Sequence, residues 1–144
     1  MTRQKVQQGT VYTRRYVYNF HYHLIWVTKY RHQTFNSDKL SSEMKNILYQ
    51  VAKDNEITIE NIEVMPDHIH VLISFPPSKA PTSAIKALKG RSAFIFLKRH
   101  PEIKKSQYWG GHLWSSSYYM STLGNMSKEV VERYIDNQKY NKTK

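Results

Sequence analysis

An α+β fold, with a four-stranded antiparallel sheet carrying two helices on one face, is predicted by three observations. The apolar period alternates between two and 3.6 in the order strand, helix, strand, strand, helix, strand. Only Pro66-Asp67 separates the second and third strands, so these two should pair as a hairpin. Pro81 stands where a helix can open on a proline, because the missing N–H would be unpaired there anyway. The order βαββαβ is ferredoxin-like (RRM-like), and one extra C-terminal helix follows it. The 144 residues are therefore read as one domain.

Each element has its own local reason. Residues 1–15 are polar and basic and are expected to form an arm ahead of the fold. Tyr16 to Thr28 is rich in Tyr, Val, Phe, Ile and Trp with period-two stretches, which predicts one long strand. Asn36-Ser37-Asp38 can cap a helix whose stripe is Leu40, Met44, Ile47, Leu48, Val51 and Ala52. Ile57 to Met65 and His68 to Phe75 alternate as the hairpin strands, and Pro76-Pro77 ends the second of them. Pro81 to about His100 is the second helix, with Ile85, Leu88 and Ile95 inward. Gly110-Gly111 predicts a loop, and Trp114 to Leu123 a last strand closed by Gly124-Asn125. Ser127 then caps a helix within residues 126–144.

Composition narrows the function classes. There is no cysteine, which excludes disulfides, thiolate metal sites and a cysteine nucleophile. Any metal must be held by His, Asp, Glu, Asn or Gln, a donor set suited to Mg²⁺ or Mn²⁺. No apolar run approaches the roughly 20 residues of a membrane span, so a soluble, cytoplasmic protein is expected, with no membrane partner. Net charge is +11, and it is segregated. No acid precedes Asp38, and between Asp67 and Glu129 the only acid is Glu102. Two long basic segments in one domain point to a polyanion. Tyr16, Tyr18, Tyr22, Trp26 and Tyr30 interleave with Arg14, Arg15, Lys29 and Arg31, a mixture suited to single strands. Lys86, Lys89 and Arg91 on the second helix are candidate phosphate contacts, as are Arg14 and Arg15 on the arm.

Two constellations carry chemistry. His68 and His70 are two apart on a strand, so both leave one face, with Cβ atoms roughly 7 Å apart. Ile69, Val71, Ile73 and Phe75 take the other face and supply core. Two imidazoles so spaced can converge on one ion, although exposed or hydrogen-bonded histidines would look the same. His21 and His23 share this spacing without a third ligand in view and are read as surface or substrate-facing. His32, His100 and His112 are read as structural. Tyr134 and Gln138 lie one helical turn apart on one face. A phenol can attack a phosphodiester and a carboxamide oxygen can bind a hard cation. Tyr134 also fits an apolar stripe with Val130, Val131 and Ile135, which packing alone produces.

His68-Ile69-His70 followed far downstream by Tyr134-x-x-x-Gln138 resembles the single-tyrosine HUH transposases of the smallest bacterial insertion sequences. Val64 to Leu72 is similar to that family's signature strand, Lys89-Gly90-Arg91-Ser92 to its second-helix segment, and Trp114 to Gly124 to its last strand. The likeness runs from about Tyr18 to Gln138. It implies that His68, His70 and Gln138 bind the divalent ion. It also implies that Tyr134, not Tyr118 or Tyr119, forms a 5′-phosphotyrosine while a 3′-hydroxyl is released. It further implies hairpin recognition at element ends, and a homodimer in which the final helix of one subunit completes the other's active site. The Gly124-Asn125 hinge would permit that exchange. The alternatives are a ferredoxin-like module that binds single strands without chemistry, and a domesticated hairpin-repeat nuclease of the same family.

Overall fold

The computed structural model describes residues 11–12, 17–18, 21–122 and 132–137. A two-stranded ribbon pairs β1 (Val11–Tyr12) with β2 (Val17–Tyr18). The main sheet is built from β3 (His21–Val27), β4 (Thr58–Met65), β5 (His68–Ser74) and β6 (Tyr119–Thr122), in the spatial order β4-β5-β3-β6, and every pairing is antiparallel. Between the strands run α1 (Asp38–Asp54), α2 (Pro81–Arg99) and a short α3 (Pro101–Gln107). The expected ferredoxin-like order is present.

Capping and periodicity act where the residues place them. The Ser37 hydroxyl accepts from the Leu40 N–H at 3.2 Å and opens α1, whose Met44, Ile47, Leu48, Val51 and Ala52 are buried. Pro81 occupies the first turn of α2, and Ala84, Ile85, Leu88, Phe96 and Leu97 turn inward. These side chains meet Leu24 and Trp26 of β3 and Ile69, Val71 and Ile73 of β5 in one core. Aromatic rings join the layers: Phe35 lies edge-on to Phe96 at 5.2 Å and Trp26 edge-on to Trp114 at 5.7 Å. The Trp114 indole N–H donates to the buried Ser92 hydroxyl at 3.1 Å. Truncating a ring such as Phe96 to Ala would cost about 3–5 kcal/mol.

Two expectations are corrected, and one short element is added. The strand expected over Tyr16–Thr28 is two elements: Val17–Tyr18 turns back on Val11–Tyr12, and the sheet strand proper begins at His21. The region expected as an arm thus already contributes a strand. The second helix ends at Arg99, as expected, and a short helix follows it: Pro101 opens α3, and His100, at φ −128° and ψ 66°, is the break between them. The last strand is short. Trp114 makes only an isolated bridge to Thr28, and regular pairing waits until Tyr119. The Gly124-Asn125 hinge and the Ser127 cap lie outside the described residues.

Ile25 and Val27 are almost fully buried, yet they alternate with Leu24 and Trp26 and so face away from the α1–α2 layer. At the end of β3 the chain makes a tight turn in which Tyr30 and Arg31 both adopt left-handed conformations, with φ of 60° and 57°.

Candidate active site

The strand alternation of β5 sends Ile69, Val71 and Ile73 into the core and leaves His68 and His70 together on the opposite face. Each histidine has a partner that fixes its ring. His68 Nδ1 lies 2.9 Å from Asp67 Oδ1, and the other oxygen of that carboxylate accepts from Arg31 Nε at 2.9 Å. Burial by itself would raise the Asp67 pKa. Hydrogen bonds from His68 and Arg31 and the adjacent guanidinium charge outweigh it and hold the group at about 2. An ionised carboxylate can only accept, so His68 Nδ1 donates to it and the bond fixes the ring, with Nε2 on the far side from Asp67.

His70 stands between Glu63, whose carboxylate is 3.6 Å from Nδ1, and His23, whose Nδ1 is 3.3 Å from Nε2. Burial lowers the pKa of His70, aided by His68 and opposed by Glu63. Burial and then the charge of His70 lower that of His23. Both rings therefore favour the neutral form. His23 is thus part of the site, where the sequence had suggested a surface or substrate-facing residue. His21 is buried beside Glu60 at 3.5 Å.

The tyrosine reaches the same face from the end of the chain. Residues 132–137 are helical, and the Tyr134 hydroxyl is 3.2 Å from the Ser117 hydroxyl, with its ring 6.0 Å from that of Tyr119. Tyr119 pairs with Ile25, which in turn pairs with His70, so a single row across three strands links the two constellations. Arg31 provides a second link. Its Nη1 donates to the Ile135 carbonyl at 2.7 Å while the same guanidinium holds Asp67. Burial raises the Tyr134 pKa, with the Ser117 hydrogen bond opposing the shift. The phenol is protonated at rest. Among the described residues, no three His, Asp or Glu side chains converge as a ready metal cage. His68 and His70 on one face fit a divalent ion once a further oxygen donor joins them. Gln138, expected to be that donor, lies outside the described residues, as do Arg14 and Arg15.

Residues 3–138 match the family described as Transposase IS200 like. The chain belongs to the IS200-like transposase family. It is 40% identical over 125 residues to the ISDra2 transposase TnpA of Deinococcus radiodurans, covering 87% of this chain and 88% of that one. It is 29% identical over 121 residues to the transposase for insertion sequence element IS200 of Salmonella typhimurium, covering 84% and 78%. A crystal structure of a Deinococcus radiodurans protein assigned as a transposase superposes with a TM-score of 0.79 at 38% identity, over 94% of this chain and 98% of that one. A REP-associated tyrosine transposase solved bound to a REP hairpin shares the fold, with a TM-score of 0.54 at 15% identity, over 91% and 74%.

In this IS200-like transposase the basic residues of α2 divide by role. Lys86 and Arg91 are exposed and available to a polyanion. Lys89, expected as a phosphate contact, instead directs its ammonium to the carbonyls of Ser115 and Ser117 at 2.7 and 3.0 Å, and burial lowers its pKa to about 8. It braces the segment that carries Ser117, and through it the Tyr134 hydroxyl. Ser117 and Asp67 carry no site assignment in the sequence, and Arg31 stands there only within a basic and aromatic mixture, so the three are added by the structure. Of the three, only Asp67 carried a local signal, as an acid directly preceding a candidate ligand. No helix among the described residues is long and apolar enough to cross a membrane.

Proposed function

We propose that this transposase cleaves and rejoins single-stranded DNA at insertion-sequence ends by metal-dependent transesterification through Tyr134. The observation that supports the reading is Arg31, which holds Asp67, the partner of His68, and also the Ile135 carbonyl next to Tyr134, on the sheet face that carries both histidines. His68, His70 and Gln138 would hold the ion, Mg²⁺ or Mn²⁺. When bound, it neutralises charge on the scissile phosphate and so favours attack by a weak nucleophile.

A free phenol, with pKa near 10, is ionised only about one part in a thousand at neutral pH, and burial makes Tyr134 weaker still. The Ser117 hydroxyl holds the phenol oxygen in place until substrate arrives. The Tyr134 oxygen then bonds to phosphorus as its proton leaves to solvent. The bond from phosphorus to the 3′-oxygen breaks, and that oxygen departs with the electron pair and takes up a proton. A 5′-phosphotyrosine and a free 3′-hydroxyl result. Attack by a 3′-hydroxyl on the phosphotyrosine reverses the chemistry and reseals a strand, so no nucleotide cofactor is needed. The substrate proposed is a DNA hairpin with flanking single strand, which the segregated positive charge favours. The proposed assembly is a homodimer whose terminal helices can complete each other's sites.

The test is incubation of labelled single-stranded hairpin DNA with the protein and Mg²⁺, followed by denaturing electrophoresis. A protein-linked band is expected from the wild type and none from Tyr134→Phe. An adduct formed by Tyr134→Phe would refute the assignment of the nucleophile.

A further inference from the structure

We propose that the cleft between α2, α3 and residues 111–116, together with the exposed rings of Trp109 and Tyr30, is a binding track for unpaired nucleotides of single-stranded DNA. The proposal deepens the reading above and rests on it for the identity of the polymer.

It begins with a helix whose outer face is the wrong kind of surface for a solvated helix. Arg91, Phe94 and Lys98 are spaced three and four apart and so share one face of α2. Phe94 stands 56% exposed in the middle of that face. The Arg91 guanidinium lies 5.3 Å from the ring centre and the Lys98 ammonium 5.7 Å. Beside this stripe opens a cleft of ≈ 640 Å³, within the range of small-ligand sites and roomy enough for a nucleotide. Lys98, Lys104 and His112 line it with Phe94, and no acidic side chain among the described residues does.

The surface continues past the cleft. His112 also lines a small second pocket, whose other walls include Trp109, Tyr30 and Lys29. Trp109 is 83% exposed and Tyr30 45%, and the Lys29 ammonium lies 5.4 Å from the Tyr30 ring centre. Cations and rings are thus interspersed along the path, the mixture that holds phosphates and stacks bases along a single strand. In a duplex the base faces are stacked on each other and closed to these rings, so the track selects unpaired nucleotides. It also ends in a useful place. Tyr30 precedes Arg31, and the Thr28 N–H donates to the Asp67 carbonyl at 3.0 Å, directly before His68. A strand seated on the rings is led to the edge of the histidine face.

Trp109 is the most exposed of the tryptophans, whereas Trp26 is fully buried and Trp114, 7% exposed, lines the cleft, so the comparison with Trp109→Phe isolates the Trp109 signal. The experiment titrates wild type, Trp109→Phe and Phe94→Ala/Trp109→Ala with fluorescein-labelled (dT)15, and with the same oligonucleotide annealed to its complement. Fluorescence anisotropy gives affinity and unlabelled (dT)15 gives tryptophan quenching. The expected result is quenching of the wild type that is lost in Trp109→Phe. The double variant should bind (dT)15 roughly tenfold or more weakly, with the duplex far less affected. Phe94→Tyr/Trp109→Tyr should restore single-strand affinity, which a folding defect would not allow. Affinity for (dT)15 unchanged in the double variant, or equal losses for single strand and duplex, would overturn the proposal. Adduct formation by the wild type is scored separately. Quenching without any adduct leaves the track standing and removes the chemistry, whereas an adduct with an unaffected double variant removes the track alone.

Discussion

Replacing Asp67 by Asn removes the carboxylate that Arg31 and His68 share, and the size of the effect follows from the site. Holding the group at about 2, against an ordinary 3.8, corresponds to roughly 2 kcal/mol of folding stability at 1.36 kcal/mol per unit. The side chain is only 13% exposed, so solvent screening removes little of this. Because the folded-state pKa is depressed, the contribution is complete above about pH 4 and is lost as pH falls towards 2. Urea unfolding at pH 7, 5, 4 and 3 should therefore show Asp67→Asn about 2 kcal/mol less stable at neutrality, or roughly 4–8 °C lower in Tm. The gap should close progressively below pH 4, because the wild type then loses what the variant never had. A gap below about 0.5 kcal/mol at pH 7, or one equally large at pH 3, would refute the argument that this carboxylate is held ionised by its two partners. In the same variant a single amide oxygen replaces two carboxylate oxygens, so His68 and Arg31 compete for one acceptor, and metal affinity should fall about 10- to 100-fold as the His68 ring loosens.

Further outcomes are expected from the same geometry. His68→Ala and His70→Ala should each abolish Mg²⁺-dependent cleavage while hairpin binding by gel shift persists; undiminished cleavage would exclude the pair as ligands. Lys89→Met should leave stability within about 1 kcal/mol of wild type, since losing two hydrogen bonds offsets relief of a buried cation. It should nonetheless slow single-turnover adduct formation about tenfold, because Ser117 loses its brace; an unchanged rate would deny that role. DNA affinity should fall steeply between 50 and 200 mM salt, with a log–log slope of about −0.7 per single-strand phosphate contacted. A flat profile would argue against a phosphate-led interface.

Much of this architecture is legible in the residues because it rests on local period. The alternation of β5 is enough to put His68 and His70 on one face, as the α1 stripe is enough to orient that helix, since local geometry alone decides which side chains share a face. What could not be read depends on register and partner choice. Alternation across Tyr16–Thr28 says nothing of where one ladder ends and another begins, so the break before His21 is invisible in it. His23 meets His70 only because β3 pairs with β5 in one particular register. The Arg31 contacts span 36 and 104 residues, beyond any spacing rule. Lys89 looked like a phosphate contact because charge is visible in sequence and the carbonyls that occupy it are not. The α3 segment was missed because Pro101 reads equally well as a stop and as a first helical residue.

The corner formed by Tyr30 and Arg31 winds against the natural hand of the chain at two successive positions, neither of them glycine. Each such residue holds on the order of 1–3 kcal/mol of strain. Glycine would relax that strain but would forfeit both the ring and the guanidinium. The corner thus behaves as a sprung latch, closed by what Arg31 grasps on either side. Segments under such tension are the first to yield, so hydrogen exchange should find this turn opening well before the strands it adjoins.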